Sequence, residues 1–164
     1  MAGLVSLGVL GVFGGTSPAQ AQTAKASVAG NAPAERAGTV KLARGKVSAA
    51  GSTGADRPLA AGDPVFGTDH ITTGADSSVS LVLRDGTTIV LGQSSRVELR
   101  GFAFNTTTYE GNLAVMILRG SMRMISGLIR KNNANGVHIE TPTAIIGIRG
   151  TDFIVDVDPA GDAR

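Results

Sequence analysis

Short apolar runs separated by glycine turns are the feature that most constrains the fold of this chain. From Gly38 onward, apolar and polar residues alternate over a few positions at a time, which is the period of a half-buried β-strand, and glycine dipeptides bound the runs. The composition agrees, since 23 residues are glycine, none is tryptophan and only 4% are aromatic. The sequence therefore predicts one all-β domain of short strands, either a β-sandwich or a flattened β-helical roll.

Two local features follow from the same alternation. A β-hairpin is predicted between Val79 and Leu91, because Asp85-Gly86 is the dipeptide of a type I′ turn and strand-like runs flank it. Further along, Val97 and Leu99 alternate with polar residues, and after Gly101 the alternation resumes at Phe102, one residue later than a period of two requires. Such a displacement predicts a β-bulge at Gly101.

The first residues have the layout of a secretory signal peptide, which we assign to residues 1–21. An apolar run extends from Leu4 to Phe13, and the small-residue site Ala19-Gln20-Ala21 follows it. The run is shorter than the ~20 apolar residues of a membrane-spanning helix, so no retained span is expected. Export predicts a periplasmic or secreted location.

Composition divides the rest of the chain. Residues 22–37 are rich in alanine and polar residues and are expected to form a flexible linker. The β domain is expected over residues 38–158. A tail over residues 159–164 ends the sequence, and its shortness raises the alternative that the sequence is a fragment.

Charge and cysteine content exclude several function classes. The formal charge of +2 is too small to indicate nucleic-acid binding. Since the chain has no cysteine, it offers no disulfide, no thiol nucleophile and no cysteine-ligated metal.

No catalytic constellation is present in the sequence. His70 and His138 lie in no motif and lack the spacing of metal ligands. The acidic end from Asp156 to Asp162 lacks the ligands that complete a calcium loop. No serine sits in a nucleophile elbow. We therefore predict a protein that is not an enzyme, with no catalytic residue, no metal and no cofactor.

The segment from Thr141 to Val155 is predicted to be a closing β-hairpin. An apolar run ends at Ile148, and Phe153 and Val155 then alternate with aspartates, so Arg149-Gly150 is the turn between two strands. Arg149 has two interpretations. It either holds the hairpin together through Asp152, Glu140 or strand carbonyls, or it forms a partner-binding edge with Thr151.

Several segments, in this order, resemble the FecR-like domain, the periplasmic domain of iron-dicitrate-type sensor regulators and of many secreted bacterial proteins. Each is short, and the resemblance lies in their order over roughly Val40 to Val157. They are Gly45-Lys46-Val47, Leu59 with Gly62-Asp63, Ile71 to Gly74, Ser77 to Leu83 with Asp85-Gly86-Thr87, Leu118 to Met122, and Thr141 to Val155. In the regulators that share this domain, a cytoplasmic segment controls a sigma factor; this sequence shows no such segment.

The resemblance implies a non-catalytic extracytoplasmic domain that binds a protein partner or an envelope ligand in signal sensing, through strand edges or surfaces. The alternative is a structural or polysaccharide-binding component of the cell envelope, with an acidic polymer bound by Arg119, Arg123, Arg130 and Lys131. The candidate structural or partner-binding residues are Arg149, Gly150, Thr151, Asp152, Phe153, Asp85 and Gly86.

Overall fold

A computed structural model describes residues 35–52, 54–146, 148 and 150–158. In this part of the chain, 57% of the residues lie in strands and 4% in a helix, which confirms the predicted all-β single domain. The elements are β1 (Arg36–Arg44), β2 (Val47–Ala50), β3 (Asp56–Pro58), β4 (Pro64–Phe66), β5 (His70–Thr73), β6 (Ser78–Leu83), β7 (Thr88–Leu91), β8 (Arg96–Phe104), β9 (Gly111–Ile125), α1 (Leu128–Asn132), β10 (Val137–Glu140), β11 (Ile145–Ile146) and β12 (Asp152–Val157).

The strands form one curled sheet, an open half-barrel. Its two parts share the 15-residue strand β9. In the part called sheet 1, the strand order is β4–β1–β6–β7–β9–β12. In sheet 2 the order is β3–β2–β5–β8–β9–β10–β11. All these pairs are antiparallel except β9–β10.

Strand β9 passes from sheet 2 to sheet 1 at Gly120. Residues up to Arg119 pair with β8, and residues from Met122 onward pair with β7. Gly120 has φ +84, and a β-carbon there would lie 2.3 Å from Ser95 Oγ. Only glycine meets both conditions, because the left-handed region and the close approach both exclude a side chain. The strand stays continuous through this position, and its register against β8 shifts just before it, between Ile117 and Arg119.

Inward-facing residues of both sheets build one hydrophobic core. It consists of valine, isoleucine, leucine, methionine and alanine, together with Phe102 and Phe104. Strict alternation produces it, as in β6, where every second residue from Val79 to Leu83 is buried. The core thus joins strands that are distant in the sequence.

The hairpin predicted between Val79 and Leu91 is confirmed as β6 paired with β7. The predicted turn type is wrong. Gly86 has φ +83, but Asp85 lacks the positive φ that a type I′ turn requires at both central positions. Leu83 N donates to Thr87 O at 2.8 Å and Gly86 N donates to Leu83 O at 3.0 Å, so the loop has three residues. The extra residue lets the Asp85 side chain turn inward instead of standing at the tip.

The bulge predicted at Gly101 is also confirmed. The register of β8 against β9 shifts between Leu99 and Gly101, and both Leu99 and Phe102 are buried. One inserted residue therefore keeps the apolar side chains on the core side across the break.

The closing hairpin predicted from Thr141 to Val155 is wrong. The apolar run forms only the two-residue strand β11, which pairs with β10, whereas β12 pairs with β9. The two strands thus lie in different sheets, and Gly150, with φ +114, stands between them. Strands β8 and β7 leave one edge of each half of β9 unpaired, and β10 and β12 pair there, so these long-range pairings decided the arrangement.

Two elements differ from the sequence prediction. Strand β1 begins at Arg36, before the expected domain start at residue 38, because Ala37 is buried in the core. The sequence pattern predicted no helix, but helix α1 forms at Leu128–Asn132 and buries Ile129. The predicted signal peptide, most of the linker and the tail lie outside the described residues.

Candidate functional site

The solvent-facing side of sheet 1, here called the outer face, carries exposed apolar side chains that alternate with polar ones in a row across five strands. Cross-strand pairs connect the row, and its members are Leu42, Ser80, Val90, Arg123 and Ile154. The next row holds Ile125. The exposed fractions of the apolar members are 48% for Leu42, 36% for Val90, 40% for Ile125 and 66% for Ile154. Several exposed apolar side chains grouped on one face of a domain are typical of an interaction site.

An ion pair lies within the outer face. Arg123 Nε donates to Asp152 Oδ1 at 2.9 Å, and Arg123 Nη2 donates to Asp152 Oδ2 at 2.6 Å. This bidentate geometry lowers the pKa of Asp152 from its ordinary value of 3.8, mainly through the hydrogen bond. It also raises the pKa of Arg123. The pair leaves a neutral patch between the apolar neighbours.

Replacing Arg123 by glutamine should raise the pKa of Asp152 back toward its ordinary value, because the hydrogen bond and the nearby charge are both lost. Since folding lowers this pKa, the pair stabilises the fold above pH 3.8, and the contribution disappears as the pH falls through the folded pKa. Carboxyl carbon shifts followed by NMR against pH measure this directly. Arg100→Gln is the matched control, since Arg100 contacts Glu98 and Glu140 instead. An unchanged Asp152 pKa in Arg123→Gln would contradict the bidentate pair.

The candidate residues of the closing segment separate in the structure. Asp152 is exposed on the outer face, and Phe153 is half-buried against the core. Gly150 and Thr151 are exposed, and the Thr151 carbonyl accepts a hydrogen bond from Ser126 N at 2.7 Å. Arg149 lies outside the described residues, so both of its interpretations remain predictions.

Asp85 lies in a buried junction instead, whereas the neighbouring Gly86 is exposed. Asp85 is 1% exposed and accepts hydrogen bonds from Thr87 N at 3.0 Å and from Thr87 Oγ1 at 2.7 Å. Thr87 Oγ1 in turn accepts from Gly127 N at 3.0 Å, and the Asp85 carbonyl accepts from Leu128 N at 2.8 Å. These bonds tie the β6–β7 loop to the start of α1. Their arrangement is that of a structural junction.

The four basic residues considered for polymer binding do not share one environment. Arg123 is paired with Asp152, and Arg130 Nη2 donates to Ile148 O at 2.9 Å. Arg119 stands opposite Arg96 across β8 and β9. It also lines a cleft of about 340 Å³ with Gln93, Ser94, Asp156 and Asp158. Lys131 is exposed in α1.

The two histidines are both in sheet 2. His70 Nδ1 lies 3.2 Å from Glu98 Oε1, and His138 is exposed on β10. Arg100 extends the first contact into a charged network with Glu98 and Glu140. Within the described residues, no three His, Cys, Asp or Glu side chains are grouped to hold a metal ion.

Sequence reasoning missed the outer face. The signal was present in Ile89-Val90-Leu91 and in Phe153-Ile154-Val155, where three consecutive residues are apolar. In a strand, such a run places an apolar side chain on both faces. The interpretation of these runs as half-buried strands therefore overlooked the exposed middle residue.

Comparison with known proteins gives a family match. Residues 69–163, more than half of the chain, match the family model described as "FecR protein". No curated protein matches the chain. A solved structure titled "Cell surface anchoring domain" is similar to part of this chain, with 34% sequence identity and a TM-score of 0.39. The match covers 40% of this chain and 86% of the chain in that structure. Over the described part of the chain, no helix has the length and apolarity to cross a membrane.

Proposed function

The chain belongs to the FecR protein family, and on that premise we propose that it is a non-catalytic extracytoplasmic domain that binds a protein partner through the outer face of sheet 1. The family is one of regulatory and sensor domains, and membership fits an envelope-associated role outside the cytoplasm. A periplasmic or secreted location and a part in signal sensing belong to the same proposal.

One observation carries the proposal: four exposed apolar side chains lie on a face of sheet 1 that no described element covers. Leu42 comes from β1, Val90 from β7, Ile125 from β9 and Ile154 from β12, and Ser80 and Arg123 lie between them in the row. Burying such side chains against a partner removes apolar area from water at about 25 cal/mol per Å². Apolar side chains spread over several strands suit a protein partner better than a small molecule, which binds in a concave pocket.

The outer faces of the two sheets differ in a way that favours sheet 1. Sheet 2 presents the charged network of Glu98, Arg100 and Glu140, whereas sheet 1 presents apolar residues around a neutralised ion pair. Interface centres are depleted in charged residues. Polymer binding through a basic patch has less support, since Arg123 and Arg130 are already engaged within the domain.

Site-specific photo-crosslinking in the native host tests the proposal. A benzophenone amino acid at position 90, 125 or 154 should form a covalent adduct with one and the same partner, identified by mass spectrometry as a protein exposed outside the cytoplasm. The control positions 100 and 138 are exposed in sheet 2 and should give no such adduct. Adducts at the control positions alone, or none from sheet 1, would refute the assignment of this face.

A further inference from the structure

The outer edge of β12 has unpaired backbone groups whose positions follow from its hydrogen bonds. Within the described residues, β12 pairs with β9 alone. Ser126 N donates to Thr151 O, so Thr151, Phe153 and Val155 direct their N–H and C=O groups to β9. The N–H and C=O groups of the alternate residues therefore point away from the sheet. These residues are Asp152, Ile154 and Asp156.

The side chains at this edge also leave room for one more strand. Phe153, Val155 and Val157 face inward and are packed against the core, yet each stays half-buried at the rim. A strand added beside β12 would cover these three side chains with its own inward residues. It would also extend the outer face beyond Ile154, which is 66% exposed.

Charge on the edge selects the occupant. Asp152 and Asp156 flank Ile154 on the exposed side of β12. If a second copy of this chain paired antiparallel about Ile154, each Asp156 would face an Asp152 of the other copy and would meet no basic residue of the added strand. A strand with a basic residue on each side of an apolar one is complementary to the same edge, because Asp156 forms no salt bridge within the described residues and Asp152, although paired with Arg123, has carboxylate lone pairs for a second donor.

We propose that β12 binds an extended segment of a partner protein as an added antiparallel strand, and that this segment places a basic, an apolar and a basic residue opposite Asp156, Ile154 and Asp152. Main-chain hydrogen bonds to Asp152, Ile154 and Asp156 hold the segment, and the alternating side chains determine which segment is chosen. This inference rests on the proposed partner-binding function and specifies how the partner is recognised.

A synthetic peptide of sequence Thr-Lys-Val-Ile-Val-Lys-Thr is the probe, used with the full-length protein. In antiparallel pairing, its two lysines and its isoleucine direct their N–H groups to β12. N-methylation of these three residues should weaken binding at least about tenfold, because several hydrogen bonds are lost together. N-methylation of the two valines keeps the same side chains and should leave binding nearly unchanged. Equal binding of both peptides, or the inverse pattern, would overturn the proposal.

Amide exchange measured by NMR locates the peptide. The Ile154 amide should exchange fast in the free protein and become protected at saturating peptide, whereas the Phe153 amide should be slow in both states. Protection of Ile154 in the free protein, at any concentration, would show that the chain itself or a second copy occupies the edge. That result would overturn the proposal, as would a fast Ile154 amide in the presence of the peptide.

A protein variant tests the same hydrogen bond from the other side. Ile154→Pro removes an N–H that points away from β9, so the sheet should keep its stability while peptide binding falls. Ile154→Thr keeps the N–H and is the control. If Ile154→Pro fails to fold, the methylated peptides still test the proposal with the wild-type protein.

Two results separate this proposal from the proposed function. Crosslinking at positions 90 and 125 without peptide binding would reject strand addition but leave the partner-binding role of the outer face. Peptide binding without crosslinking would reject that wider role but leave strand addition.

Discussion

Replacing Gly120 by alanine is expected to lower the free energy of unfolding by about 3–5 kcal/mol, the largest effect that we predict. Two costs combine at this position. A left-handed φ costs a residue with a β-carbon about 1–3 kcal/mol, and forcing an extra carbon into a packed site costs about 1–3 kcal/mol more. The added carbon would lie 2.6 Å from the Ser95 Cα, which is backbone and cannot rotate away. Urea denaturation followed by circular dichroism measures the loss.

Two other glycines separate these costs. Gly62 has φ +96 with nothing within 4 Å of an added carbon, so Gly62→Ala should show the conformational cost alone, about 1–2 kcal/mol. Gly101 has open space and no positive φ, so Gly101→Ala should change the free energy of unfolding by about 1 kcal/mol or less. Suppose that Gly120→Ala lowered the free energy of unfolding by no more than Gly62→Ala. Ser95 would then move aside for the added β-carbon, and β9 would not need glycine where it passes between the sheets.

Replacing Asp85 by alanine is expected to cost about 2–4 kcal/mol, because its carboxylate is buried and its partners would be left without an acceptor. Thr87 would lose two hydrogen bonds, and its own bond from Gly127 N would lose support. The same denaturation measurement applies. Binding of the crosslinked partner by the folded fraction should stay unchanged.

Asp63→Ala is the matched control for this prediction. Asp63 also accepts a backbone hydrogen bond in a turn, from Ala60 N at 2.7 Å, but there the bond is exposed to solvent. Its loss should cost about 1 kcal/mol or less. Equal costs for Asp85→Ala and Asp63→Ala, together with lost partner binding in Asp85→Ala, would make Asp85 a partner-binding residue instead of a structural one.

Local features were readable from the sequence because their causes lie within a few residues. The bulge at Gly101 appears as a break in alternation, since a strand has a side-chain period of two. The β6–β7 hairpin appears as two strand-like runs around Asp85-Gly86. Its turn type was not readable, because the loop is also held from some forty residues away in the sequence, where Gly127 N donates to Thr87 Oγ1 and Leu128 N donates to the Asp85 carbonyl.

The candidate site was readable only in part. Asp152 was singled out and is exposed on the outer face, whereas Phe153 faces the core. The ion partner of Asp152 is Arg123, which comes from β9. The residues that make the outer face a surface, such as Val90 and Ile125, come from other strands. No pattern within one strand shows that its exposed apolar residue has neighbours of the same kind across the sheet.

By itself, the sequence determined that this is an all-β chain, because strand periodicity and turn glycines can be recognised within a few consecutive residues. The order of its short segments also showed the resemblance to the FecR family. The tertiary structure alone decided that β9 belongs to both sheets and that β11 and β12 separate instead of pairing. It also decided that Ile154 is exposed on the outer face, beside an edge of β12 that no other described strand pairs. These outcomes depend on which distant strands meet, and strand pairing at long range is set by the packing of the whole core.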